Sequence, residues 1–574
     1  MASTPSPAFA RQLCRDWTAC LGLLAIGLSA RVEAGEEPRA AFRDLSLLVA
    51  PGYPCNWPTW PRFLMTSDER IGPLGAYNSE VLLIDGNTGT QLDVPPHSVT
   101  PPDSGLPNAG RHGRAYTDVI PAWQFVGEAC VIDCADLLDA APPGRSALVT
   151  KDRVIAWEKS HRPLGPGDVV LFRSGYTDAY YKPLPEGRRF LADPVEGKSP
   201  AWPDPDPDCM EYLAGRGVMA LGTDSASMGP LPDLAEPTHF AGLRHGMIWT
   251  EGATGIGALP PTGAFYAMLA PKHAGGAFSE GRAFAVVGDP LARRLIDAAR
   301  KKDVADLSVV LSEDLPVSWP GRGVGNHRQP YIRVRFGLNP NTREPYDTHL
   351  MSSHDGTHLV PPSFALPGPG FDDASYPSEV RGWLAEYQKE FGSRGTSLAT
   401  ADELPIAQTC GPARIIDVTR LAGTTDRASW PASPEITEAR IVEFEAAHGA
   451  IRPGDVVIFR SGWSDRHCRP GPEGKACLDD PLNGRAEGWP APGPGAIRYL
   501  AGRGVRCVAT DAPSLGGVGP KRALMTYWAL GGAGMAGVEF LTNLARVPDG
   551  AYFLFAAVKV RGCHGGPGRA IALW

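Results

Sequence analysis

Apolar positions in this chain cluster into short runs that are bounded by Gly, Pro or Asp. Runs of this kind are typical of buried strands. The sequence predicts such strands at residues 45–50, 81–84, 130–134, 168–172 and 218–222. An acidic start and a following glycine predict a helix at 206–214. A helical turn is expected after Pro237, followed by an apolar segment that ends at Glu251.

This order of elements occurs twice, with second-half strands predicted at 307–311, 415–417 and 538–539. The segment Pro-Gly-Asp-Val-Val-Leu-Phe-Arg-Ser-Gly at 166–175 returns with one change at 453–462, an offset of 287 residues. The same offset carries Asp224 onto Asp511. A period of this length indicates a duplicated domain, and each copy is large enough for one hydrophobic core. We predict domains at 40–290 and 305–574, joined by a charged linker at 291–304.

Composition narrows the class of protein. The formal net charge is −8, and the chain has no Lys/Arg run that could neutralise phosphates, which argues against nucleic acid as a partner. The apolar fraction of 43% and the charged fraction of 21% are ordinary for globular domains.

The first 34 residues look like an export signal. Arg11 and Arg15 precede an apolar stretch at 19–30 that is too short to span a bilayer, and no other segment could span one. A buried first helix is the alternative. An export signal predicts a secreted or periplasmic protein without a membrane span.

The most informative feature is a polar motif that is present in two damaged copies. Residues 87–97 read Asn-Thr-Gly-Thr-Gln-Leu-Asp-Val-Pro-Pro-His, and residues 354–364 read His-Asp-Gly-Thr-His-Leu-Val-Pro-Pro-Ser-Phe. Each copy keeps cation-binding or proton-transfer groups that the other has lost. In the first half, the motif follows a predicted strand directly.

These residues resemble the signature His-x-Gly-Thr-His-x-Asp-x-Pro-x-His of the cyclase family of metal-dependent hydrolases, which includes kynurenine formamidases and isatin hydrolases. The resemblance covers both halves. It implies an α/β fold in which two tandem copies of a cyclase-like, swivelling β/β/α domain form a pseudo-dimer. Further oligomerisation of the chain stays open.

When the first half is compared with the signature, the resemblance places Asn87 and Gln91 at the first two ligand positions. It places His97 at the position of the proton shuttle. The family's distant His and Glu, twelve residues apart, correspond to His239 and Glu251. Gln91 could add a carbonyl oxygen. The resemblance implies one complete set of metal ligands in this half: Asp93, His239 and Glu251.

Carried onto the second half, the resemblance leaves a remnant. Val360 stands at the position of the signature's Asp, and Phe364 stands at the position of the proton shuttle. Tyr527 stands at the position of the distant His. Two imidazoles and one carboxylate could hold a cation weakly, but the motif lacks a base. We expect the second half to be a degenerate partner domain that could form a wall of the first site or cover it. The retained residues are His354, His358 and Glu539.

The ligand types of the first half point to hydrolysis independently of the resemblance. A divalent ion held by one imidazole and two carboxylates polarises a carbonyl and lowers the pKa of bound water from about 15.7 towards roughly 7. His97 lies four residues past Asp93, so it can act as general base and then protonate a departing nitrogen. Zinc and manganese both suit such a mixed ligand set.

Two functions follow from these residues. The first is a secreted metal-dependent hydrolase that opens a linear or cyclic amide of a small molecule. The second, motivated by the loss of imidazoles at Asn87 and Gln91, is a pseudoenzyme or a small-ligand-binding scaffold. Asp224 and Asp511, kept in both copies, are expected to serve the fold.

Overall fold

The computed structural model describes residues 41–58, 61–319, 331–338 and 345–574. The predicted export signal at residues 1–34 lies outside these ranges. Among the described residues, no helix combines the length and apolar character needed to cross a membrane.

The first half alternates strands and helices. Its strands are β1 (Ala41–Asp44), β2 (Leu64–Glu69), β3 (Ser79–Asp85), β4 (Gln91–Asp93), β5 (Val126–Asp133), β6 (Leu148–Val149), β7 (Asp168–Arg173), β8 (Asp204–Pro205), β9 (Ala220–Thr223), β10 (Ile248–Glu251), β11 (Ala264–Leu269), β12 (Phe278–Glu280) and β13 (Arg282–Val287). Its helices are α1 (Lys151–Ser160), α2 (Tyr176–Tyr180), α3 (Ala192–Val195), α4 (Pro207–Gly215), α5 (Ala235–Leu243) and α6 (Leu291–Lys301).

The second half repeats this arrangement. Its strands are β14 (Val304–Asp306), β15 (Ile332–Leu338), β16 (Pro345–Ser352), β17 (His358–Val360), β18 (Cys410–Asp417), β19 (Glu435–Ile436), β20 (Val456–Arg460), β21 (Ala491–Pro492), β22 (Cys507–Thr510), β23 (Ala536–Glu539), β24 (Tyr552–Ala557) and β25 (Gly566–Leu573). Its helices are α7 (Ser378–Phe391), α8 (Glu438–His448), α9 (Trp463–His467), α10 (Asp479–Leu482), α11 (Pro494–Gly502) and α12 (Pro520–Gly532).

Each half is built on a mixed sheet with a parallel centre. The first sheet has the order β1-β13-β11-β5-β7-β9-β10-β4-β12, and the second has the order β14-β25-β17-β23-β22-β20-β18-β24. Strands β5, β7, β9 and β10 run parallel, as do β18, β20, β22 and β23. Parallel strands are buried on both faces, which explains their continuous apolar sequences. The expected α/β fold in two tandem copies is therefore confirmed.

A third sheet joins the two halves. Its order is β15-β16-β3-β2, and β16 pairs antiparallel with β3, with Thr348 opposite Asp85 and Ser352 opposite Val81. The strand before the motif in one half thus pairs with the strand before the motif in the other. The largest apolar core also crosses the halves, joining Phe265 to Ile571. Residues 40–574 consequently form one compact unit with the layout of a pseudo-dimer.

Most predicted elements match the structure, but the opening strand of each half is wrong. The strand β1 ends before residues 45–50, which form only the isolated bridges of Ser46 with Ala253 and of Val49 with Val560 among the described residues. Likewise β14 ends before 307–311. These runs are apolar because they pass between the halves, where Val49 N–H donates to the carbonyl of Lys559 at 2.8 Å.

The predicted linker at 291–304 contains α6 and the start of β14. The buried face of α6 carries Leu295, Ile296 and Ala299. This helix packs against β5, β11 and β13 of the first half and against β25 of the second.

One buried carboxylate anchors the same turn in each half. Asp224 accepts hydrogen bonds from the Ser174 N–H at 2.8 Å, the Ser174 hydroxyl at 2.6 Å and the Gly175 N–H at 2.6 Å. Asp511 accepts the equivalent bonds from Ser461 and Gly462 at 2.6–2.7 Å. The shared geometry supports the predicted structural role.

We expect Asp224→Ala and Asp511→Ala each to lower the free energy of unfolding by about 2–4 kcal/mol, because each leaves several buried donors without an acceptor. Denaturant unfolding measures the loss, and metal content should not change. A loss near zero in both variants would contradict the structural role.

Candidate metal centre

The first-half motif lies on an edge region of the sheet where three short strands meet. Strand β4 pairs with β10 and with β12, so that Asp93 lies opposite Trp249 and Phe278, and Gln91 lies opposite Glu251. Because side chains alternate along a strand, these residues share one face. Prolines at 95 and 96 then end the strand and begin a 3-10 helix, Pro95–His97, which turns His97 back over that face.

The structure brings together the three predicted ligands and the predicted shuttle. Nε2 of His239, on α5, lies 3.5 Å from Oδ2 of Asp93 and 3.4 Å from Oε1 of Glu251. Nε2 of His97 lies 3.7 Å from Oδ2 of Asp93. The side chains of Asp93, His239 and Glu251 are almost fully buried, whereas that of His97 is 17% exposed.

Neighbouring donors and acceptors orient this set. The indole N–H of Trp249 donates to both Asp93 and Glu251 at 3.2 Å, and the Met228 N–H donates to Glu251 at 2.6 Å. Nδ1 of His239 donates to the carbonyl of Ala235 at 2.8 Å. This bond directs the other ring nitrogen at the two carboxylates, which is the arrangement expected of a metal-ligating histidine.

The residues present fit a divalent cation. Two buried carboxylates face one imidazole, and Oδ1 of Asp93 is buried without a hydrogen-bond partner. Buried negative charge is costly unless a cation or hydrogen bonds compensate it. The mixed nitrogen and oxygen donors suit zinc, manganese and related ions.

The charges of this set alter its pKa values. Burial opposes protonation of His239, but hydrogen bonds and charge from Asp93 and Glu251 outweigh burial and raise the pKa of His239 well above its usual value. Burial and the charge of Asp93 raise the pKa of Glu251. Burial and the charge of His239 lower the pKa of His97 to about 4, so that His97 is neutral near pH 7.

Metal affinity at this centre should rise with pH. Without metal, His239 is protonated at neutral pH because its pKa is raised, and a metal must displace that proton. The apparent affinity is expected to change about tenfold per pH unit below the pKa of His239. Metal competition titrations across the neutral range measure the slope. His97→Ala should keep the slope, because His97 is already neutral, and a pH-independent affinity would contradict the role of His239.

The side chain of Gln91 is hydrogen-bonded to one of the predicted ligands. Its amide nitrogen donates to Oε2 of Glu251 at 2.7 Å and to Oδ1 of Asn87 at 3.1 Å. With the carboxylate of Glu251 beside it, the amide nitrogen is the favourable end to face the site. Gln91 therefore holds Glu251 in place.

The second-half remnant is packed with aromatic rings. Nε2 of His358 lies 3.2 Å from Oε2 of Glu539, and the Tyr527 hydroxyl donates to the other oxygen of Glu539 at 2.7 Å. Phe364 lies between His354 and Tyr527, with ring centroids 4.6 and 5.0 Å apart.

The first half adds to this packing, because Tyr77 stacks on Phe364 at 4.8 Å. Val360 stands at the acid position and is buried. The side chains that replaced the ligands therefore fill the space around the two histidines.

One buried acid near the first site escaped the sequence reasoning. Asp204, on β8, is fully buried, accepts a hydrogen bond from the Thr223 hydroxyl at 3.1 Å and interacts electrostatically with Glu251. A comparison of the halves could have revealed it, because the equivalent second-half residue is Ala491.

Known proteins resemble each half. The family model described as "Putative cyclase" matches residues 43–230 and 305–516. The isatin hydrolase of Roseibium aggregatum is 28% identical over 246 residues, which cover 42% of this chain and 86% of that protein. The kynurenine formamidase of Salinibacter ruber is 29% identical over 225 residues, which cover 37% of this chain and 82% of that protein.

A solved structure, isatin hydrolase A from Ralstonia solanacearum, matches with 23% identity and a TM-score of 0.37 over 50% of this chain and 99% of its own. The named relatives are hydrolases, in agreement with a site that could hold a divalent metal. Because the family model matches both halves and well over half of the residues, this chain belongs to the cyclase family as a tandem duplication.

Proposed function

We propose that this chain is a metal-dependent hydrolase of a linear or cyclic amide of a small molecule, and that the first half carries out the reaction. The observation that carries the proposal is the convergence of Asp93, His239 and Glu251 in one buried site, with a neutral His97 at its edge. The same chemistry appears in the names of its relatives, isatin hydrolase and kynurenine formamidase.

A bound divalent ion would polarise the amide carbonyl and acidify water, and Asp93, His239 and Glu251 would hold it. Neutral His97 takes a proton from the attacking water at Nε2 and returns it to the departing nitrogen. The C–N bond breaks, the carbonyl carbon gains the hydroxyl and the nitrogen gains the proton. The partial exposure of His97 lets its ring reach a substrate.

The cleft beside the motif is small, with a volume of about 10 Å³. It is lined by the amides of Asn56, Asn87 and Gln91 together with apolar side chains. Near His97, Tyr346 of the second half stacks on Phe278 with ring centroids 6.4 Å apart. The apolar lining consists of Leu47, Trp57, Phe190, Leu191 and Ala226.

The test is hydrolysis by the full chain in metal-loaded and chelated forms. Aryl formamides and cyclic aryl amides form the panel, and zinc and manganese are loaded separately. We expect turnover only in a loaded form, and a melting temperature several degrees lower after chelation, because metal binding stabilises the folded state. No turnover with either metal, together with an unchanged melting temperature, would favour the small-ligand-binding scaffold.

We further propose that the chain is exported and cleaved near Gly35. The basic residues and short apolar stretch within residues 1–34 support this proposal. Fractionation of expressing bacteria followed by N-terminal mass analysis tests it. An intact N-terminus in the cytosolic fraction would contradict it.

A further inference from the structure

A second group of potential ligands lies outside the candidate metal centre, where the two halves meet. His273 follows β11, Glu280 is on β12 and His349 is on β16 of the second half. All three are buried. We call this group the seam cluster.

The atoms of the seam cluster are close enough to share one ion. One ligand atom from each residue lies within 4.8 Å of the others, and Nε2 of His273 is 3.1 Å from Oε1 of Glu280. The two imidazoles are stacked, with centroids 3.7 Å apart and planes 4° from parallel. Zinc binds nitrogen at about 2.0–2.1 Å and carboxylate oxygen at about 2.0–2.2 Å, so two ligands of one ion lie at most about 4.3 Å apart. Small side-chain shifts would close the cluster around an ion.

The hydrogen bonds of Tyr331 leave one imidazole nitrogen unprotonated. The hydroxyl lies 2.9 Å from Nδ1 of His273 and 2.8 Å from Nδ1 of His349. A hydroxyl has one proton, so it donates to one Nδ1 and accepts from the other. The neutral imidazole that donates at Nδ1 has a lone pair at Nε2. One of the two Nε2 atoms is therefore a ready electron-pair donor. The other imidazole accepts at Nδ1 and has its proton at Nε2, so it becomes a ligand when that proton shifts to Nδ1 and the Tyr331 oxygen accepts from both rings.

The carboxylate has an unused oxygen as well. Oε2 of Glu280 is buried without a hydrogen-bond partner, and leaving such an atom unpaired is costly. The positive charge of Arg333 nearby is paired with Asp347. The buried Asp85 adds a second carboxylate that interacts with Glu280. A divalent cation would balance Glu280 and Asp85.

We propose that His273, Glu280 and His349 bind a second divalent transition-metal ion, of the zinc class, distinct from the ion of the candidate metal centre. Tyr331 positions both imidazoles through their Nδ1 atoms, as the hydrogen-bond partners of metal-bound histidines do in known metal sites. Two ligands come from the first half and one from the second. The ion would thereby tie the halves of the pseudo-dimer together.

The experiment counts ions in the full chain after chelation and reloading with zinc, by elemental mass spectrometry. We expect two ions per wild-type chain, one in His349→Ala, one in Asp93→Asn and none in the double variant. Glu280→Gln, which keeps the side-chain volume, should also lose one ion. The control is His448→Ala, an exposed histidine at the end of α8 that lies far in sequence from the ligands of both groups, and this variant should keep two ions.

Each outcome decides between the two proposals. One wild-type ion that is lost with His349→Ala but kept in Asp93→Asn would support the seam cluster and oppose the proposed function. An unchanged count in both His349→Ala and Glu280→Gln would overturn the seam cluster and leave the candidate metal centre intact. Tyr331→Phe keeps all three ligands, so it should bind two ions, with the seam ion weakened by roughly 10- to 100-fold. If His349→Ala does not fold, Glu280→Gln and Tyr331→Phe still decide.

Discussion

Asp93→Asn is expected to remove the metal ion from the first half and to lower kcat/KM for an amide substrate by about a thousandfold or more. Asp93 lies 3.7 Å from His97 and 3.5 Å from His239, and its side chain is 1% exposed. A metal supplies several kcal/mol of stabilisation to the developing charge, and each 1.36 kcal/mol corresponds to about tenfold in rate. Metal analysis and steady-state kinetics on the same preparation measure both losses.

The duplicated chain provides a matched control for this variant. His354→Ala changes a retained motif residue of the second half, and we expect activity within about twofold of wild type, because surface or remote changes rarely alter a site that they do not touch. Loss of activity in His354→Ala with full activity in Asp93→Asn would move the working site to the second half. A similar melting temperature of the two chelated variants excludes misfolding as the cause.

The location of the first site could be predicted because its residues are positioned by local structure and by one antiparallel strand pair. Asp93 and His97 share one strand end, where the two prolines set the turn. His239 and Glu251 belong to α5 and β10, and β10 pairs directly with β4. A spacing of twelve residues therefore corresponds to one helix, one turn and one strand.

Contacts between the halves could not be predicted from the sequence. The pairing of β3 with β16 joins residues that are more than 250 positions apart, and no periodicity reports it. The same is true of Tyr77, which packs in the second-half remnant, and of His349, which reaches His273. Interface packing also explains the error at 45–50, where apolar residues face the other half without forming a regular strand.

The role of Gln91 shows a further limit of motif reasoning. Its position in the signature suggested a ligand, and only the geometry shows the amide nitrogen donating to Glu251. Glu280 of the seam cluster lies opposite Gln91, on the neighbouring strand β12. The seam cluster is therefore adjacent to the motif position at which Gln91 replaces an imidazole.

His97→Ala is expected to lower kcat by about 10²- to 10⁴-fold while the metal content stays at the wild-type value. His97 lies 3.7 Å from Asp93, packs edge-on against His239 with ring centroids 5.3 Å apart, and is the most exposed member of the group, so its loss should not release an ion held by the buried residues. Because the pKa of His97 lies near 4, this residue is available as a base throughout the neutral range. The fall of the hydrolysis rate towards acidic pH should therefore follow the loss of metal that accompanies protonation of His239.

Three measurements separate proton transfer by His97 from a structural role. Metal content and melting temperature should match wild type, and added imidazole should restore part of the lost rate, because a free base can enter the space left by the ring. His97→Gln, which keeps polarity without a titratable nitrogen, should be as slow as His97→Ala. If both variants hydrolyse the amide at the wild-type rate with metal bound, proton transfer at this site depends on another group, for which Asp204, buried beside Glu251, is the first residue to test.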